Sequence, residues 1–124
     1  MPEPKNLDLV TNFLTILGHL RVFHWQTKSY AEHIGFGKTY DSLEDHIDSF
    51  IEAYQGRHGR IIALKSFDFS IPNYAASDPM KCADGWIKYL DGLSKSLAGE
   101  TDLLNIRDSM IGELNTLKYL LSLK

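Results

Sequence analysis

The metal-capable side chains of this sequence are gathered most densely between His24 and Glu52, and among them are His24, His33, Asp41, Glu44, Asp48 and Glu52. Imidazole nitrogens and carboxylate oxygens together form a hard-to-borderline donor set, suited to iron, manganese or zinc rather than to copper(I). Ser29 followed by Glu32 is a capping box, so a helix is expected from Tyr30 to about Gln55. At about 100° per residue, His33, Gly37, Asp41, Glu44, Asp48 and Glu52 fall on one stripe of that helix. The apolar residues Phe36, Tyr40, Leu43, Ile47, Phe50 and Tyr54 form a second stripe about 100° away, so the acidic stripe is expected to border the core. Other chemistries lack their residues. There is no glycine-rich phosphate loop, no Cys-x-x-Cys, no histidine beside Cys82 and no Glu-x-x-His pair of the kind that holds two irons inside a helix bundle.

These residues need elements to position them. Leu7, Val10, Phe13, Leu14, Leu17, Leu20 and His24 recur at spacings of three and four, which predicts a first helix over residues 7–26 with Asn6 as its cap. His24 falls centrally on that apolar face. A histidine there is more often a satisfied core residue than a ligand, and four carboxylates on a helix are more often a solvated face. The connection from Trp25 to Ser29 alters the first, because so short a turn makes the helices antiparallel neighbours and brings His24 beside His33, and the stripe's place beside the core and in line with His33 alters the second. Residues 56–77 read as a long crossover, pinned to the bundle by Ile61, Ile62, Leu64, Phe67, Phe69 and Ile71. Asp78 and Pro79 open a third helix with a face of Ala83, Trp86, Ile87, Leu90, Leu93 and Leu97 that continues to Gly99. Thr101 caps a fourth, with Leu103, Met110, Leu114, Leu117 and Leu121 repeating almost on a heptad. The expected fold class is all-α: a ferritin-like four-helix bundle with a long crossover between helices two and three, in a single domain over residues 1–124.

Composition limits the function further. With 44% apolar residues and 14 kDa the chain supports one core. No run of eighteen or more apolar residues suggests a membrane span. The formal charge is −3 and the basic residues are scattered, which argues against non-specific nucleic-acid binding. The start MPEPKN lacks a signal pattern and Cys82 is the lone cysteine, so a reducing, cytoplasmic setting is expected.

His24-Trp25, His33 and the run Asp45-His46-Ile47-Asp48 through Glu52 resemble the Dps-type mini-ferritins. The match is good over about thirty residues, and ETDLLNIRDSMIGELNTLKYLL also looks like that family's last helix. In length and pattern the chain comes nearest to small Dps-like proteins of bacteriophages and some bacteria. The resemblance implies a ferroxidase centre between two subunits, in which ferrous iron is oxidised by peroxide or dioxygen to the ferric state and stored. His24 and His33 would be ligands from one subunit and Asp48 and Glu52 from its neighbour, with Asp41 and Glu44 as substitutes for a further aspartate that the family carries where this chain has Gly37. Trp25 resembles the tryptophan beside such centres that intercepts radicals. The family's lysine-rich DNA-binding tail has no counterpart in MPEPKNLD, so direct DNA binding is not expected.

Helix geometry alone leads to a shared site. His33 and Asp48 are fifteen residues apart, which at about 1.5 Å per residue separates them by roughly 22 Å along one helix. A second copy of the helix, antiparallel about a two-fold axis near Asp41 and Ser42, would set His33 of one chain opposite Asp48 and Glu52 of the other. Gly35 and Gly37 would let the two backbones approach. The expected partner is therefore the chain itself, as a homodimer or higher homo-oligomer through helix two. The alternative is a metal-free helical assembly or interaction protein that keeps this fold with an eroded site, a reading that Gly37 favours.

Overall fold

Two helix starts expected from sequence are made by the residues named for them. Ser29 Oγ accepts the Glu32 N–H at 3.2 Å, and Asp78 Oδ1 accepts the Lys81 N–H at 3.2 Å with Pro79 in the first turn. The computed structural model describes residues 6–123, Leu7 through its backbone only, so the MPEPK start and the apolar position read at Leu7 lie outside it. The elements are α1 (Leu7–Gln26), α2 (Tyr30–His58), a 3-10 turn (Tyr74–Ala76), α3 (Pro79–Asp91), a single-turn α4 (Leu93–Ser96) and α5 (Thr101–Leu121). No β-strand occurs among the described residues.

Several boundaries differ from the sequence reading. α2 runs through Gln55 and Gly56 to His58, and stops where Gly59 adopts φ 90°, a left-handed value that glycine tolerates. Thr101 is the first helical residue of α5 rather than its cap, and neither Glu100 nor Asn6 caps its helix through a side chain. The third helix, expected to continue to Gly99, breaks at Gly92. Arg107 secures that break from α5. Its guanidinium is buried, and Nη1 donates to the Leu90 carbonyl at 2.8 Å and to Ser94 Oγ at 2.9 Å.

The order of the helices follows from contacts at their ends. α1 and α2 are antiparallel across the turn at residues 27–29. Arg57 meets Asp102 at 2.7 Å at one end of α2 and α5, while Gly35 faces Leu120 at the other, so these two are also antiparallel. Asp84 pairs with Lys118, and the Phe13 and His19 rings meet Tyr89 and Trp86, so α3 is antiparallel to both α5 and α1. Consequently α2 and α3 are parallel, and residues 59–73 must travel the length of the bundle to join them. They are fastened along the way. The Ile61 N–H donates to Gln55 Oε1 at 3.0 Å, Ile71 lies so close to α1 that a Cβ at Gly18 would be 2.7 Å from its Cδ1, and Gln26 bonds to Asn73 and to the Tyr74 N–H. Of the six apolar residues expected to pin this segment, Ile61 is buried and Phe67 and Ile71 half-buried, but Ile62, Leu64 and Phe69 are exposed.

The core is built from Phe13, Leu20, Phe23, Phe36, Leu43, Phe50, Leu90, Leu103, Met110, Leu114 and Leu117, all essentially inaccessible to solvent. Trp86, expected there, is only half-buried at its edge. Replacing a fully buried leucine by alanine removes its transfer energy and leaves a cavity, so Leu114→Ala should cost about 2–5 kcal/mol, read as a lowered midpoint in urea unfolding. No helix is long and apolar enough to cross a membrane.

Candidate functional site

The tight turn does bring the two histidines together. The last residues of α1 and the first turn of α2 set the His24 and His33 rings face to face, with centroids 3.8 Å apart and planes 15° from parallel. Each ring also reaches the other's main chain. His24 Nδ1 lies 2.6 Å from the His33 carbonyl oxygen, and His33 Nδ1 lies 2.8 Å from the His24 carbonyl oxygen. A carbonyl oxygen can only accept, so each Nδ1 carries the proton and donates it. In a neutral imidazole the lone pair then resides on Nε2 of both rings. A backbone carbonyl on one ring nitrogen is the usual device that fixes the tautomer and orientation of a metal-binding histidine. The same bonds also satisfy the His24 carbonyl, close to the end of α1, where intrahelical donors run out.

Gly37 is part of this arrangement. A Cβ on it would stand 3.0 Å from His24 Cε1 and 3.1 Å from Nδ1, so a side chain at 37 would require the imidazole to give by a few tenths of an ångström. Gly35 faces the other way, toward Leu120 of α5. The two glycines therefore serve packing within the chain, and the expectation that both face a second backbone is corrected.

The carboxylates stand apart from the histidines. Asp41, Glu44, Asp48 and Glu52 are all exposed, and the acidic stripe borders the core only where Glu44 and Asp48 flank Phe13 and Ile47. The reason is that Gly35 and Thr39 are buried along with Phe36, Leu43, Ile47 and Phe50, which turns the inner face of α2 toward α5. Asp41 lies 3.9 Å from Arg21, whose guanidinium sits 3.8 Å over the Tyr40 ring. Glu44 and Asp48 edge an open apolar groove between α1 and α2, lined by Val10, Leu14, Leu17 and Ile47. Trp25 is 69% exposed at the histidine end of that face. Among the described residues no three metal-capable side chains of one chain gather into a group.

Sequence reasoning missed one polar centre. Glu32, read only as part of a capping box, is 3% exposed, and its Oε1 accepts from Thr27 Oγ1 and from the Tyr74 hydroxyl, each at 2.6 Å. It ties the turn carrying His24 and His33 to the end of the crossover. The one signal for it was its place three residues after Ser29, since Tyr74 is 42 residues away.

The molecule is thus an all-helical domain with two oriented imidazoles at one end and an exposed acidic face along its second helix. A family model described as a family of unknown function, DUF5856, matches residues 24–121, and the chain belongs to that family. It is also similar to an uncharacterized 14.6 kDa protein from the mobD-ri intergenic region of Enterobacteria phage T4, with 31% identity over 103 residues that cover 82% of this chain and 75% of the phage protein. No solved structure matches.

Proposed function

We propose that this protein is a Dps-like, ferritin-like iron-binding protein that oxidises ferrous iron at a site shared between two copies of the chain, and stores the ferric product if the copies build a shell. The observation that carries the reading is the histidine pair, whose Nδ1 atoms are both engaged by carbonyls so that both Nε2 lone pairs are free for a metal. The topology, with parallel second and third helices joined by a long crossover, is what a ferritin-like four-helix bundle would require and so supports the reading. Iron here is substrate and cargo. His24 and His33 would supply imidazole to it, and Asp48 and Glu52 of a second copy would supply the carboxylates that stabilise the ferric state. Trp25, exposed and next to His24 in sequence, would give up an electron to a radical formed nearby.

The antiparallel two-fold pairing about Asp41 and Ser42 brings two acidic faces together, a repulsion that a bound cation would offset. It would set exposed Lys38 of each copy opposite exposed Asp45 of the other, and it would cover Ile34 and the α1–α2 groove. Ferrous iron added in air, or with peroxide under argon, should be oxidised faster with the protein than in buffer. His24→Ala and Glu52→Ala should each slow the reaction, followed by the ultraviolet absorbance of ferric product. The competing reading, a metal-free helical assembly, draws on Gly37 and on the separation of carboxylates from histidines within one chain. Equal oxidation rates for wild type, variants and buffer would establish that reading instead.

A further inference from the structure

We propose that a cleft at the end of the bundle remote from the histidine pair binds a small organic amine, whose apolar body rests on a floor of leucines and whose ammonium is held by Asp8 and Glu100. Neither a metal nor a second copy of the chain enters. The cleft, of about 430 Å³, lies where the start of α1, the end of α2, the single turn α4 and the residue before α5 meet. Small-molecule sites span about 300–1,000 Å³ and combine apolar surface with a few convergent polar groups, and this cleft does both. Leu9, Leu93 and Leu97 are buried and form its floor. The Tyr54 and His58 rings, with centroids 4.5 Å apart, form one wall.

The polar rim is richer in acceptors than in donors. His58 Nε2 bonds to Glu100 Oε1, and a carboxylate oxygen only accepts, so the proton sits on Nε2 and a neutral ring keeps a lone pair on Nδ1. Ser96 Oγ donates to the Leu93 carbonyl at 3.2 Å and is left with its lone pairs. The Arg57 guanidinium, 4.0 Å from Glu100, is turned to Asp102, to which Nε donates at 2.9 Å and Nη2 lies at 2.7 Å. Asp8 adds an exposed carboxylate. A ligand that fits this rim brings donors, and a primary ammonium brings three.

Charge selects the ammonium over a neutral donor. Arg57 and Asp102 cancel as an ion pair, which leaves the carboxylates of Asp8 and Glu100 beside a neutral His58. The N-termini of α1 and α5 open next to these carboxylates, and no side chain caps either helix. Each helix end is worth about half a positive charge, so two carboxylates against two helix ends leave about one negative charge to be met. One ammonium meets it. An anion drawn to the helix ends would face the excess of the wrong sign, and the aromatic wall favours a cation again, through the negative faces of its rings.

Hexylamine is a suitable probe, with hexanol and hexanoate as neutral and anionic ligands of the same body. At about pH 8, where an ordinary imidazole is neutral and an alkylamine charged, calorimetry should show one equivalent of hexylamine per chain, with the alcohol and the acid at least about tenfold weaker. Amide chemical shifts should move at Leu9, Leu93 and Leu97. Asp8→Asn and Glu100→Gln should each weaken hexylamine about tenfold, as loss of a hydrogen bond to a charged group does. Glu100→Gln also loosens the contact with His58, so if that variant fails to fold, the exposed Asp8→Asn decides. No heat from hexylamine at millimolar concentration overturns the inference. So do equal affinities for the three probes, an Asp8→Asn variant that binds as the wild type does, or shift changes gathered along Asp41, Glu44, Asp48 and Glu52. Each of these outcomes leaves the reading of the histidine pair untouched, since the two sites share no residue.

Discussion

Phe23→Ala should destabilise the protein by about 3–5 kcal/mol, the range for deleting a buried aromatic ring. Phe23 is completely buried and is the point where three parts of the fold meet. Its ring lies 5.5 Å from Phe36 of α2, 5.6 Å edge-on from Tyr74 at the end of the crossover and 5.6 Å edge-on from His19 of its own helix. Edge-to-face pairs of this kind contribute about 0.5–1.5 kcal/mol beyond simple burial, so alanine would lose several of them along with the cavity energy. The loss should be larger than for Leu114→Ala, and it should not stay local. Tyr74 would keep its bond to Glu32 and its edge contact with Phe36 but lose the nearer of its two ring partners, so amide hydrogen exchange near residues 73–77 should accelerate more than exchange at the far end, around Arg57. A urea midpoint equal to that of the wild type would show that the three elements do not depend on this ring.

Most of the helical architecture was legible because local signals and the global fold agree. The three-and-four spacing of Phe13, Leu20, Leu43, Phe50, Leu114 and Leu117 marks residues that are in fact buried, and Ser29 and Asp78 cap where their types allow. The break at Gly92 was hidden for a related reason. Leu90, Leu93 and Leu97 are all buried, so the apolar rhythm passes over the break without a missed beat. Arg107 could not be foreseen either, since an arginine on a helix reads as surface until the Leu90 carbonyl and Ser94 are known to wait for it.

At the candidate site the outcome is divided along the same line. The adjacency of His24 and His33 follows from the length of one turn, which sequence states directly. The orientation of the acidic stripe depends on which small residues of α2 face α5, and Gly35 and Thr39 carry no hydrophobic mark that would reveal it. The role of Gly37 is less visible still. From sequence it is an absent carboxylate, whereas in three dimensions it is where the His24 ring packs closely against α2.

Mixing two inactive variants should restore metal binding, provided that the site is shared. His33→Ala removes an imidazole from every half-site of its own homodimer, and Asp48→Ala removes a carboxylate from every half-site of its own, so each alone should hold close to no tightly bound cobalt(II). In a mixed dimer the two losses coincide at one half-site and are both absent from the other. One site in such a dimer is therefore complete, built from His24 and His33 of the Asp48→Ala chain with Asp48 and Glu52 of the His33→Ala chain. After unfolding and refolding an equimolar mixture together, which lets the chains exchange, half of the dimers should be mixed and about a quarter of the wild-type capacity should return; purified mixed dimers should reach half. Distance alone requires two chains. His33 and Asp48 are fifteen residues apart on one continuous helix, α2, and at about 1.5 Å per residue the separation of roughly 22 Å is far beyond the reach of any single ion. A monomeric protein that binds cobalt tightly, or a mixture no better than its components after refolding is verified, would remove the shared site and leave the histidine pair as a clasp on the α1–α2 turn.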